Sequence, residues 1–438
     1  MRRALVLLVL VCGCTTDKLG KQTDGSYLVA TGQVLRPAGE HITFPGRPVD
    51  ICLSKDGKTL FAKENTGLTV VDVATKSIVE RLKSGGTSGH GLLALENGEV
   101  WMGDSKSTLH CAALVDGKWQ WTRKIVLSKP KVGGEVYPYS LVAKGNRLWV
   151  AASRSNSLVC VNLTSEKVET EIPVDIAPYG IVLDGETAYV SCWGGVAPSD
   201  TDRKEPSSGV MVKVEDNGVV ASASVVKVDL RSGKITGRAA VALQPMQVVR
   251  HPSGDLVVGH GNADHLSVID PVTMKVTATV NTELDKRLPF GSMPNALVIS
   301  PDGKQVYVAN GGTNSVAVID WQPKRVQGHI PAGWFPGALV FKGNALWVSN
   351  VKGVGMREKR ADGNYSVYDT TGLIQRVPIP NKGQLSEMTK VAQEGAGMRF
   401  ALDALEHGTA KRGKAIPDKV GEISPIEHVV YILKENRT

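Results

Sequence analysis

Pro294-Asn295-Ala296-Leu297-Val298-Ile299-Ser300-Pro301-Asp302-Gly303-Lys304-Gln305-Val306-Tyr307-Val308-Ala309-Asn310 carries two apolar runs on either side of a Pro-Asp-Gly-Lys turn. Asp-Gly tolerates positive φ, so this turn between β-prone runs predicts an antiparallel hairpin. A third run, Asn314-Ser315-Val316-Ala317-Val318-Ile319-Asp320, ends on an acid. In the first unit a turn then leads to a fourth, more polar run, Lys76-Ser77-Ile78-Val79-Glu80-Arg81-Leu82.

Outward from that stretch the same grammar recurs. Units start at Pro48, His90, Pro138, Pro178, Pro245, Pro294 and Pro336, with spacings of 42, 48, 40, 67, 49 and 42. The second run reappears as Leu60-Phe61-Ala62, Val100-Trp101-Met102, Leu148-Trp149-Val150, Ala188-Tyr189-Val190, Leu256-Val257-Val258 and Leu346-Trp347-Val348. Third runs end at Asp72, Asn162, Asp229, Asp270 and, in the last unit, Val367-Tyr368-Asp369. Four short strands per unit is the period of a propeller blade. One such sheet cannot cover either of its faces alone, so the units stack until the circle closes. The expected fold is all-β: a seven-bladed β-propeller of four-stranded antiparallel blades over residues 31–380, with a short helical C-terminal extension and one orphan strand.

The wording of the units resembles the YVTN-type β-propeller repeat over residues 48 to about 380, most clearly in the first, fifth and sixth units, and the Gly-His and Trp-Asp signature of WD40 repeats is absent. A piece before the first unit, Gln33-Val34-Leu35-Arg36-Pro37-Ala38-Gly39 with Phe44-Pro45-Gly46, matches the end of unit six. It is expected to pair with the last blade and clasp the ring, with Leu373-Ile374-Gln375-Arg376-Val377 competing for that place.

The composition fits a packed chain: 438 residues, 42% hydrophobic and 21% charged, with mixed signs and a net charge of +8. No basic run of the kind that grips nucleic acid stands out, so no nucleic-acid partner is expected. In a propeller the loops after the second strands and before the first strands gather at one mouth of the channel. Asn65, Asp104, Ser153, Trp193, His260, Asn310 and Asn350 fall there. They could bind a small molecule or a protein loop, or they could only satisfy turn backbone. The fourth unit is long because about 31 residues, Gly194 to Ser224, follow Cys192-Trp193; they include Asp200, Asp202, Arg203, Lys204 and Glu205. Such an insert is a lid, a docking arm or a tolerated excursion. The nine histidines show no metal-ligand spacing, and no nucleophile elbow or phosphate-cradling glycine loop appears, so the ring predicts no catalytic group and no cofactor of its own.

At the start, Met1 to Gly13 has two arginines, a short apolar run and small residues ahead of Cys14, the order of a secretory signal. Val11-Cys12-Gly13-Cys14 resembles the lipobox of bacterial lipoproteins, which implies acylation of Cys14, a lipid bilayer as partner, and a place in the bacterial cell envelope on its periplasmic or extracellular face. Residues 14–30 then read as a polar tether. Cys52, Cys111, Cys160 and Cys192 sit singly in strand patterns and read as buried thiols, although a pair could bridge neighbouring blades.

After Pro380 the period is lost. Leu385 to Gln393 and Met398 to His407 look helical within a 381–425 segment, before the apolar run Ile426-Glu427-His428-Val429-Val430-Tyr431-Ile432-Leu433 and then Lys434-Glu435-Asn436-Arg437-Thr438. Residues 426–438 resemble the opening of the phosphoesterase family in the alkaline phosphatase superfamily. The resemblance implies Glu435 and Asn436 as ligands of a divalent metal ion in a complete phosphoesterase domain. On this reading the chain is the N-terminal part of a longer, lipid-anchored phosphoesterase, with its own further domain as a partner, and is not expected to hydrolyse phosphate esters by itself. A stand-alone propeller serving as a binding or scaffold module at the cell surface is the alternative, and a propeller lyase a third reading.

Overall fold

The computed structural model describes residues 19–84, 89–287, 291–355 and 369–398, together with 402, 415 and 424–428. These residues contain seven four-stranded antiparallel sheets, six of them in simple meander order. The first six span 50–83, 92–126, 138–173, 176–240, 245–281 and 294–331. The seventh takes three strands from Trp334–Lys342, Ala345–Gly353 and Thr371–Pro378 and its outermost strand from Glu40–Pro45. The chain is therefore a seven-bladed β-propeller.

Burial follows from the stacking. Middle strands are covered on both faces by adjacent blades, so Gln305–Asn310 and Ser315–Asp320 are buried almost throughout. An outermost strand such as Ser77–Lys83 has no further strand beyond it and alternates between exposed and half-buried positions. Residues from neighbouring sheets share one core at each seam: Tyr307, Val316 and Ile330 of blade 6 pack with Leu346, Val348 and Val377 of blade 7.

The sequence repeats are hydrogen-bonding devices. In blade 6, Asp302 Oδ1 accepts from Ser300 Oγ (2.7 Å) and the Lys304 N–H (3.1 Å), while Ser300 Oγ accepts from the Gln305 N–H (2.9 Å). Ser54, Asp56, Lys58 and Thr59 repeat the arrangement in blade 1. The acid or amide ending a third strand caps the next turn: Asp72 accepts from the Thr75 N–H, Asn162 from Thr164 and Ser165, and Asp229 from Arg231 and Ser232. Where a proline opens an inner strand, the residue before it is left-handed in five blades: Tyr137, Ala177, Gln244, Met293 and Phe335 have φ between 52° and 62°. A register shift follows in each of those inner strands. The turn and bulge together re-aim the first residues of the strand.

Three expectations need correction. Leu373–Val377 and the N-terminal piece do not compete: the former lies in the third strand of blade 7 and the latter, at Glu40–Pro45, is its fourth. The third strand expected at Val367-Tyr368-Asp369 is instead Thr371–Pro378; Val367 and Tyr368 lie outside the described residues. The stretch read as a tether is folded from Gly20, where Gly20–Lys21, Tyr27–Leu28 and Val34–Leu35 form a small sheet. Val29 and Leu35 are buried there against Trp334 because the sheet packs on blade 7.

The helix Lys382–Gly395 covers the expected Leu385–Gln393 segment. It starts with a capping box in which Asn381 Oδ1 accepts from the Gln384 N–H and Gln384 Oε1 from the Asn381 N–H. It packs on Arg325–Pro331 of blade 6, where Gly328 leaves room for Leu385 and Thr389. The second expected helix lies largely outside the described residues, as do residues 429–438 of the orphan strand; Ile426, Glu427 and His428 are described and are not strand. Cys52, Cys111, Cys160 and Cys192 are all unpaired. Among the described residues no helix is long and apolar enough to cross a membrane.

Candidate functional site

Antiparallel pairing puts the start of each inner strand beside the end of its second strand, as in Pro294 opposite Asn310 and Pro138 opposite Ala152. The seven mouth residues named from the sequence therefore share one rim, but they do not converge on one point. Asn65 Oδ1 accepts the Arg47 N–H (3.1 Å). Asp104 accepts from the N–H groups of Lys106 and Thr108 and meets His110 Nε2 at 3.3 Å. Burial alone would raise the Asp104 carboxyl, but these hydrogen bonds outweigh it and hold the group below the usual carboxylate range.

His260 is fully buried, with Nε2 2.8 Å from Ser267 Oγ. Burial, with His265 beside it, lowers it to about 3, so it is neutral at neutral pH. Asn310 Nδ2 donates to Thr282 O (2.7 Å), and Asn350 Nδ2 donates to Gln375 Oε1 (2.9 Å) and Leu373 O (3.3 Å). Each of these five residues holds a turn or a blade through at least one hydrogen bond, although His260 Nδ1, Asn310 Oδ1 and Asn350 Oδ1 are buried without a partner among the described residues.

The channel itself is a cavity of ≈ 200 Å³ lined among others by Asp50, His90, Ser140, Tyr179 and Gln247. Most of its polar side chains tie one inner strand to the next. Asp50 Oδ2 accepts the Gly91 and Leu92 N–H groups, Ser140 Oγ that of Ile181, and Gln247 Oε1 that of Leu297. Lys63, directly across the ladder from Asp50, is fully buried and donates to His90 O (3.1 Å).

Ser153 and Trp193 are different, because the structure brings them into one cleft of ≈ 440 Å³. Its wall is aromatic: Tyr139 and Trp193 line it with ring centroids 6.3 Å apart. Tyr179, buried behind them and lining the channel instead, backs both rings, with its centroid 4.7 Å from that of Trp193 and 4.9 Å from that of Tyr139. Its roof is the insert in blade 4, where Lys204–Ser207 pairs with Val210–Lys213. Val212 and Val214 bury themselves against Ile176, so the insert has a small core of its own. Its charges are largely satisfied internally: Lys213 meets Asp202 at 2.6 Å and Arg203 meets Asp216 at 3.2 Å.

Tyr139, Tyr179 and Arg154 escaped the sequence reading. A signal was present: the residue after the opening proline is Tyr in units three and four but Met246, Asn295 and Gly337 in units five to seven. A separate groove of ≈ 750 Å³ lies at the far rim, where His251 stacks on Trp321 at 4.3 Å. Among the described residues no group of three or more His, Cys, Asp or Glu could hold a metal ion. Glu435 and Asn436 lie outside them.

No family model and no curated protein matches this chain. Solved structures do. Hydrazine synthase of Kuenenia stuttgartiensis is 16% identical, with a TM-score of 0.55 over 72% of this chain and 96% of its own. The Cps50 (Swd1) β-propeller domain of Myceliophthora thermophila is 12% identical, with a TM-score of 0.55 over 78% and 99%. A catalytically inactive virginiamycin B lyase from Staphylococcus aureus, solved with quinupristin, is 13% identical, with a TM-score of 0.53 over 77% and 99%. At these identities the likeness shows the propeller fold alone.

Proposed function

We propose that this chain is a lipid-anchored, extracytoplasmic β-propeller whose ring is a recognition module, binding its ligand in the cleft between blade 3 and the blade 4 insert. The observation that carries this reading is the aromatic wall of Tyr139 and Trp193, backed by buried Tyr179, beneath a folded hairpin. Elsewhere on the rim the polar side chains named above each bond a neighbouring backbone or side-chain group; here a rigid ring presents aromatic side chains to a roofed space. A small-molecule panel read by thermal shift tests it. Ligands that stabilise the wild type should fail with Trp193→Ala, and a panel that shifts both proteins equally would refute the cleft as the site.

Envelope attachment rests on the Val11-Cys12-Gly13-Cys14 element. Cys14→Ser should abolish lipid labelling and release the protein from the membrane fraction; unchanged labelling would refute the anchor. We further propose that the ring serves a metal-dependent phosphoesterase, on the strength of the Lys434-Glu435-Asn436-Arg437-Thr438 element. There Glu435 and Asn436 would contribute two oxygen donors to a divalent cation, which supplies polarisation of a phosphoryl oxygen.

A further inference from the structure

The cleft holds two donors without acceptors. Arg154 follows Ser153 in the short 3-10 turn Ser153–Ser155, and its guanidinium lies between two glycine turns. A Cβ on Gly134 (φ +81°) would come within 2.8 Å of Arg154 Cζ, and one on Gly209 (φ +86°), at the tip of the inserted hairpin, within 3.3 Å of Nη2. Glycine at both turns is what allows them to close on a planar cation.

Among the described residues no carboxylate or carbonyl pairs with this guanidinium, and its Nε is buried with no hydrogen-bond partner. The neighbouring acid, Glu135, is engaged by Ser107 Oγ (2.6 Å). Trp193 Nε1, in the same cleft, is likewise buried and unpartnered. Arg154 and Trp193 are half-buried as residues, but these two nitrogens are enclosed, and a buried donor left without an acceptor is costly. The lining contains no Asp or Glu, and beside these donors it offers the valines of the insert and the aromatic side chains of Tyr137, Tyr139 and Trp193. Its volume falls within the range of small-ligand sites.

Resting on the recognition reading above, we infer that the cleft binds a small organic anion with a flat apolar body. Its charged oxygens take the Arg154 guanidinium and the Trp193 indole N–H, and its body lies against the aromatic wall. An arginine fork suits the planar two-oxygen geometry of a carboxylate.

The test compares 2-naphthoate with the neutral 2-naphthylmethanol, the same ring without the charge, by calorimetric titration of the full chain at neutral pH. The wild type should bind the anion at least about tenfold more tightly, the scale of one charge-assisted hydrogen bond. Arg154→Met should erase the discrimination, Arg154→Lys should keep part of it, and Trp193→Phe should weaken the anion while sparing the neutral ring. Melting curves establish that each variant is folded, and the lysine variant keeps the test open if the methionine one is not. Equal affinity for the two probes would overturn the anion inference but leave the recognition reading standing. No binding of either would overturn the inference, and the Trp193→Ala panel then decides the recognition reading separately. Undiminished discrimination in a folded Arg154→Met would also overturn it.

Discussion

The ring is closed at one seam by strands distant in sequence, and Phe44→Ala tests that closure. Arg376 and Glu40, paired in the ladder and joined by an ion pair of 2.9 Å, are 336 positions apart. No hairpin turn links the two strands, so the seam depends on the ladder and on the side chains beneath it. Along Glu40–Pro45 only Ile42 and Phe44 point inward, and Phe44 is 3% exposed. It packs in a core that takes Ile51, Leu60 and Val71 from blade 1 and Trp347 and Ile374 from blade 7. Truncating a buried phenylalanine costs about 3–5 kcal/mol, a large share of the roughly 5–15 kcal/mol by which domains are stable. Thr43→Ala, on the exposed face of the same strand, should stay within about 0.5 kcal/mol. Urea titration followed by circular dichroism reads the difference as a shifted midpoint. Hydrogen exchange should show the amides of Thr371–Pro378 losing protection first, because opening the seam frees that strand as an edge. A Phe44→Ala midpoint indistinguishable from that of Thr43→Ala would refute the closure.

Two further outcomes follow from buried charge. Burial lowers the Lys63 ammonium from 10.5 to about 8, with Asp50 and Asp104 opposing the fall. Between those values the unfolded chain holds a proton that the folded one has released, so wild-type stability should rise with pH through that window. Measured as the difference from Lys63→Met, the rise should reach about 3 kcal/mol from pH 8 to 10.5 and vanish below pH 8, where both states are charged; a flat difference would refute a buried ammonium. Asp175 is 5% exposed and accepts from Arg238 Nε (3.1 Å) and Ser224 Oγ (2.7 Å). Asp175→Asn should destabilise by about 2 kcal/mol in denaturant titrations, and a loss under about 0.5 kcal/mol would show the pair to be idle.

Much of the fold could be read because its repeating elements are local. The Ser-x-Asp-Gly turn and the acid that caps the third strand work within a few residues of themselves, so one linear pattern carries both the element and its cause. The final blade was misread for the opposite reason. Thr371–Pro378 and Glu40–Pro45 are both short β-prone runs, and only their pairing across the whole chain shows that one is third and the other fourth. The candidate site was half legible. Taking the residue at the end of each second strand found the rim, but position along a strand does not say which face a side chain takes. Asn310, His260 and Asn350 are buried, while Trp193, beyond Cys192, turns into the cleft. The aromatic wall depends on left-handed residues and bulges ahead of Tyr139 and Tyr179, which no propensity of those residues announces.

The regularity of the ring makes its departures informative. A rim side chain that recurs from blade to blade has a task that recurs too, and here that task is a hydrogen bond to a neighbouring backbone or side chain. Between blades 3 and 4 the repeat breaks in several independent ways: tyrosine after the opening proline, a tryptophan near the end of the second strand, an arginine with no acid paired to it, and a hairpin with its own small core folded over them. Each costs something in a free-standing ring, through buried unpaired donors, exposed ring faces or an ordered insert. The contacts that the propeller makes with itself offset few of these costs at that seam. A ligand with a flat body and anionic oxygens offsets several at once, which is why the cleft, and not the polar channel, is where binding should be sought.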